Sequence, residues 1–303
     1  MQRALAFVCL LLSGGMAGPQ QAPAVRLLVD VVAVDRNGNP VMDLKHDELE
    51  VRISGYRAPI ETLDVVTPSA EHGGRLVVLL LDDITLPPVM VTRVKETARR
   101  FVQRMLPGDR MAIIALNGDG TEPTADTARL RRIIEEFNTK PVSVLRLDVV
   151  GEHILRTVGD LSRQMAEDPT GRKTIVGIGA GWMFDRPIPP AELGYDLRPA
   201  WVAAVRTAAL ANASMYVIDP GGVGLAPVGG TGGFCSETGG FAFMNTNDWT
   251  GAADRVMREA GSYYMLGVID PPIRRKADIR EMEVRTTRKG VTIRARRWIG
   301  GTE

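Results

Sequence analysis

Residues 76–81 read LVVLLL, six apolar side chains in a row with no polar partner between them. Successive side chains of a strand point to opposite faces, so a strand of this composition must be covered on both sides. That requirement demands a layered α/β arrangement, and the chain downstream supplies the covers. Val91, Val94, Ala98, Phe101, Val102 and Met105 recur at helical spacing, with Pro87 and Pro88 before them and Pro107-Gly108 after. Strand runs at 111–116, 174–178 and 214–218 then alternate with helical periods. Those periods are carried by Leu130, Ile133, Ile134 and Phe137, by Ile154, Leu155, Val158, Leu161 and Met165, and by the Ala-rich segment 200–211. A Gly-rich loop, a short strand at 241–244 and a helix capped by Asn247 or Asp248 close the series. Such alternation predicts a mostly parallel sheet flanked by helices over residues 71–260.

Both flanks of this region lack a helical period. Residues 25–70 hold three or four short strand patterns broken at Asn37-Gly38-Asn39-Pro40 and Ser54-Gly55. Residues 261–299 hold three more, at 263–269, 281–287 and 291–298, the last two joined by Arg288-Lys289-Gly290 as a hairpin turn. Each flank alone buries little, so the expectation is one small β-sandwich made by both. Arg3, the apolar run 4–12 and the small residues Gly15 and Ala17 have the layout of a secretory signal peptide over residues 1–17, followed by a polar linker at 18–24. The expected address is secreted or periplasmic. A chain cut there keeps one cysteine, Cys235, read as a partly exposed bystander that has no partner for an internal disulfide. A formal net charge of +1 gives no bulk reason to expect nucleic acid, and no later segment is apolar enough to span a membrane.

Residues 77–82, the helix closing on Leu106-Pro107-Gly108-Asp109-Arg110-Met111-Ala112, and Arg172-Lys173-Thr174-Ile175-Val176-Gly177-Ile178 together resemble a von Willebrand factor A-type domain. The flanks resemble the acidobacterial VWFA-related family. The segments concerned are 29–35, Gly38-Asn39-Pro40-Val41, 47–51, ASMYVIDP at 213–220, Thr238-Gly239-Gly240, Tyr263-Tyr264-Met265-Leu266-Gly267 and 291–296. The resemblance implies exported bacterial proteins on a Rossmann-like fold that bind other proteins, often through a metal at the carboxyl edge of the sheet. That site needs an Asp-x-Ser-x-Ser loop, a Thr from a second loop and an Asp from a third. Here the first loop is Asp82-Asp83-Ile84-Thr85-Leu86-Pro87, and Ala180 stands at the third position. The second-loop Thr cannot be assigned, with Thr139 and Ser143 as candidates. Asp82, Asp83 and Thr85 are the surviving oxygen ligands, too few for a hard divalent cation without much water. No cofactor is expected beyond weak Mg²⁺ or Mn²⁺ binding at this degenerate site. The competing reading makes the Asp pair a cap for the helix beginning near Pro87.

His46, His72 and His153 have no Cys, His or Asp at zinc-ligand spacing, and no Gly-x-Ser-x-Gly elbow or phosphate loop occurs. The sequence therefore points away from an enzyme. The segment 182–199 brings Trp182, Phe184, Asp185 and Tyr195 to the ligand edge, where its aromatics either form an apolar docking patch or cover the helix ends, while Arg294, Arg296 and Arg297 read as a solvated basic edge strand. The expected function is a non-catalytic protein-binding or envelope-scaffold module. The alternatives are a cation-dependent adhesion module using Asp82, Asp83 and Thr85, and a hydrolase.

Overall fold

A computed structural model describes residues 26–68, 74–140, 147–169, 171–180, 182, 196–223, 231–272 and 279–300, with backbone alone at 147, 148 and 231. The segments expected to be a signal peptide (1–17) and a linker (18–24) lie outside the described residues, as do His72, Ser143, Phe184, Asp185 and Tyr195.

The chain opens with four strands: β1 (Arg26–Val34), β2 (Leu49–Ile53), β3 (Tyr56–Ala58) and β4 (Ile60–Val66). The middle follows as β5 (Leu76–Leu81), α1 (Val91–Gln103), β6 (Arg110–Ala115), α2 (Thr127–Glu136), α3 (Leu147–Ala166) and β7 (Lys173–Ile178). It continues with α4 (Arg198–Ala211), β8 (Ala213–Ile218), α5 (Thr231–Glu237), β9 (Ala242–Phe243) and α6 (Trp249–Gly261). Strands β10 (Tyr263–Ile269), β11 (Ile279–Thr286), β12 (Thr292–Arg294) and β13 (Trp298–Gly300) end it.

Five strands form one parallel sheet in the order β6-β5-β7-β8-β9. Every residue of β5 is buried, and its side chains divide between two cores. Leu76, Val78 and Leu80 pack with α3 and α4, while Val77, Leu79 and Leu81 pack with α1, α2 and α6. The apolar run thus serves both faces, and burying each such side chain contributes about 1.5–3 kcal/mol. Two helix starts, those of α2 and α6, are fixed by carboxylates: Asp126 accepts from the Arg129 amide at 2.9 Å, and Asp248 from the Gly251 amide at 2.8 Å. Asn212 ends α4 in the left-handed conformation at φ 54°. Among the described residues no helix is long and apolar enough to cross a membrane.

The two ends of the chain pair with each other. Strand β1 runs antiparallel to β10 and β12, and β11 runs antiparallel to β2 and β13. This gives two four-stranded sheets, β12-β1-β10-β4 and β13-β11-β2-β3. Their inner faces share one core, with Val29, Val31 and Leu266 from the first sheet against Val51, Ile53 and Met282 from the second. The expected hairpin over 281–298 is not made. The last segment is split, with β12 on β1 and β13 on β11, so the chain crosses from one sheet to the other at residues 295–297.

That crossing corrects the reading of the arginines. Arg296 is buried, donating to Asp30 Oδ1 at 2.9 Å and to the Leu28 carbonyl at 2.8 Å. Arg294 donates to both oxygens of buried Glu259, at 2.7 and 2.8 Å. Arg297 alone of the three is half exposed. Arg172, at the amino end of β7, is fully buried. It is bonded to Asp30, to the Gly239 carbonyl at 2.8 Å and to the Tyr216 hydroxyl at 3.2 Å. The Tyr216 hydroxyl in turn donates to Glu259 at 3.1 Å. A buried cluster of ions therefore joins the antiparallel sheets to the amino ends of the parallel strands. Cys235 is also buried, packed in the core beneath α4 rather than partly exposed, as its small apolar body allows.

Candidate functional site

In an open parallel sheet the ligand crevice lies at the carboxyl ends of the strands, where the order of connection reverses. Here the chain leaves β5 for β6 on one side and returns through α2 and α3 to β7 on the other. The crevice therefore falls between Asp82, which follows β5, and Gly179-Ala180, which follow β7.

Asp82 is completely buried at this point, and its carboxylate has four donors. Oδ1 accepts from the amides of Ile84 at 3.2 Å and Thr85 at 2.8 Å. Oδ2 accepts from the Thr85 hydroxyl and from the Trp182 indole N–H at 2.9 Å. A carboxylate offers about four lone-pair directions, so all are used within the chain. Burial pushes the Asp82 carboxyl above its ordinary value, against the pull of these donors. The Thr85 hydroxyl also lies 3.2 Å from the Ala180 carbonyl.

Trp182 is 1% exposed and belongs to the core, which corrects its expected place on an exposed docking patch. Its ring lies over two glycines of the same strand end. A Cβ on Gly177 would stand 2.0 Å from Trp182 Cζ3, and one on Gly179 would stand 2.2 Å from Trp182 Nε1. The glycines thus make the space and the indole fills it. This partnership was missed in the sequence, although glycines at alternate positions of an otherwise apolar strand were its signal.

Asp83 turns the other way. It is 1% exposed, and its Oδ1 accepts from the Asn117 amide at 3.1 Å, beyond the end of β6. The structure therefore brings Asp82 and Thr85 together and leaves Asp83 on the opposite side of the strand end. These donors do not fit a divalent cation: Asp82 is saturated, Asp83 faces away, and position 180 offers only its carbonyl. Among the described residues no group of three or more His, Cys, Asp or Glu side chains is placed to hold a metal.

The helix-cap reading of the Asp pair is also corrected. Helix α1 is entered through a single 3-10 turn at Pro88–Met90, and neither turn nor helix has a side-chain cap bond. Asp82 instead closes the loop 82–85 on itself. Each of the two described histidines places Nε2 2.6 Å from a main-chain carbonyl, His46 at Ile60 and His153 at Leu116.

No family model matches this chain, and no curated protein matches it. Among solved structures it is similar to the open conformation of the pilus adhesin SpaC from Lactobacillus rhamnosus GG. That match has 8% identity and a TM-score of 0.44, over 89% of this chain and 48% of the adhesin. It is similar to the human COPII-coat protein Sec24c at 8% identity and TM-score 0.34, over 78% of this chain and 46% of that one. It is also similar to the pilus adhesin RrgA from Streptococcus pneumoniae at 13% identity and TM-score 0.27, over 50% and 24%. The chain spans less than half the length of each of these proteins, and likenesses this loose carry no conclusion about what it does.

Proposed function

We propose that this chain is an exported, non-catalytic protein-binding or envelope-scaffold module on a von Willebrand factor A-type frame, and that its binding needs no divalent cation. The observation that carries this reading is the saturated Asp82 carboxylate. Its four acceptor directions meet donors of the chain itself, and the indole of Trp182 occupies the crevice where a metal and its ligand would meet. A cation entering there must displace a buried indole and break charge-assisted hydrogen bonds, for which a few waters are poor compensation.

The test is capture of a partner from the source cell's envelope fraction, with and without EDTA, beside calorimetric titration with Mg²⁺ and Mn²⁺. The expected result is capture unchanged by EDTA and no heat of metal binding. Capture abolished by EDTA, with micromolar affinity that disappears in Asp82→Ala, would establish the cation-dependent adhesion reading instead.

A further inference from the structure

Asp83 differs from its neighbour in having an oxygen to spare. Oδ1 takes the Asn117 amide, while Oδ2 has no donor among the described residues, although the residue is 99% removed from solvent. With no donor from the chain, this oxygen can take one from a ligand or water in the space the residue borders. Asp83 lines a cavity of about 250 Å³ between the ends of β5 and β6 and helix α2. The floor is apolar, made by Leu81, Ile113, Ile133 and Phe137. Asn117, Asp119, Glu136 and Lys140 complete the mouth. Lys140 places its ammonium 3.6 Å from Asp119 at the exposed rim, which leaves Asp83 and Glu136 as uncompensated acids on the lining.

We propose that this cavity binds a protonated alkylamine or alkylguanidine group, with its aliphatic stem on Leu81 and Phe137 and its charged head on Asp83 Oδ2. The volume lies below the ~300–1,000 Å³ filled by drug-sized ligands. It therefore suits one side-chain-sized group, such as a lysine or arginine of a partner or a small free amine. A positive head is selected because the lining acids outnumber the single lysine, and a charge-assisted bond to a carboxylate with little access to water is stronger than one made at the open surface. The apolar floor selects an alkyl stem over an inorganic cation. This site goes beyond the cation-independent binding proposed above. A blank titration here removes the cavity site and leaves that reading to its own EDTA test.

The experiment is an NMR titration of the mature full-length chain with n-butylammonium, n-butylguanidinium and, as the neutral control, n-pentanol. Both cations are expected to shift the amides of Asn117, Asp119 and Phe137, with n-pentanol much weaker. Asp83→Asn keeps an acceptor for the Asn117 amide and should weaken both cations at least about tenfold, the worth of one hydrogen bond to a charged group. Lys140→Ala, at an exposed position that leaves the fold intact, should strengthen both by removing the chain's own competing cation. A capped Gly-Lys-Gly or Gly-Arg-Gly peptide that competes identifies a protein side chain as the source, and free amine alone entering identifies a small molecule. No shifts with either cation, equal binding of n-pentanol, or wild-type affinity in both variants would overturn the proposal.

Discussion

Two adjacent carboxylates in one loop do opposite things, and the difference is one of donors. Asp82 holds a loop closed against a buried indole, whereas Asp83 has one donor and borders a cavity. Replacing Asp82 by Ala removes the carboxylate that accepts from the Trp182 N–H and from two loop amides. The lost bonds cost about 1–3 kcal/mol of stability, part of it offset by removing a buried charge. Urea unfolding at neutral pH checks this, and the loss should be the same with and without Mg²⁺. Trp182→Ala should cost more, about 3–5 kcal/mol, because it leaves a hole over Gly177 and Gly179. Part of this site was legible in the sequence. The unbroken apolar run before the Asp pair placed Asp82 and Asp83 at the carboxyl end of a covered strand, where they stand. The direction each Asp faces was not legible, because neighbouring residues share a loop in sequence and diverge only once β6 and β7 stand on either side.

Strands that are covered on both faces announce themselves, and strands that carry buried ions do not. The run of β5 and the alternation of β2, buried at Leu49, Val51 and Ile53, were readable because apolar period is a local property. Arg294 and Arg296 have the same period of two, yet their partners Glu259 and Asp30 lie on other elements, 35 and 266 residues away. Local pattern therefore reads them as solvent-facing, and only the crossing between the two antiparallel sheets turns them inward. Breaking such a buried set by removing one member leaves an uncompensated charge. Asp30→Ala or Arg172→Ala should accordingly cost about 3–5 kcal/mol, measured by urea unfolding. Arg297→Ala, at the half-exposed position, should fall within about 0.5 kcal/mol of wild type.

At the scale of the whole molecule the two carboxylates Asp30 and Asp82 mark opposite ends of the parallel strands, and they respond to acid with opposite sign. Burial alone would raise the Asp30 carboxyl, but the guanidiniums of Arg172 and Arg296 outweigh it and hold Asp30 below its ordinary value of 3.8. Its contribution to stability is therefore fully present above pH 3.8 and is lost as pH falls through the lower folded value. Asp82 is raised by burial, so its share is fully present below 3.8 and is lost as pH rises through the higher folded value. Other acids paired with arginines, such as half-buried Glu48 held at about 2 by Arg288, add to the loss at low pH and tilt the wild-type curve further. Differences between proteins remove that common background. Urea unfolding of wild type, Asp30→Asn and Asp82→Ala is measured at steps from pH 7 to pH 2.5. The gap between wild type and Asp30→Asn should narrow below pH 3.8, as protonation takes the advantage of the native ion cluster away. The gap between wild type and Asp82→Ala should instead widen as pH falls from 7 toward 3.8, because protonation relieves the buried charge while the indole stays bonded to a neutral carboxyl. Two gaps that move together would mean that the ends of the sheet do not titrate as separate sites, and that the buried cluster is not what ties the antiparallel sheets to the parallel one.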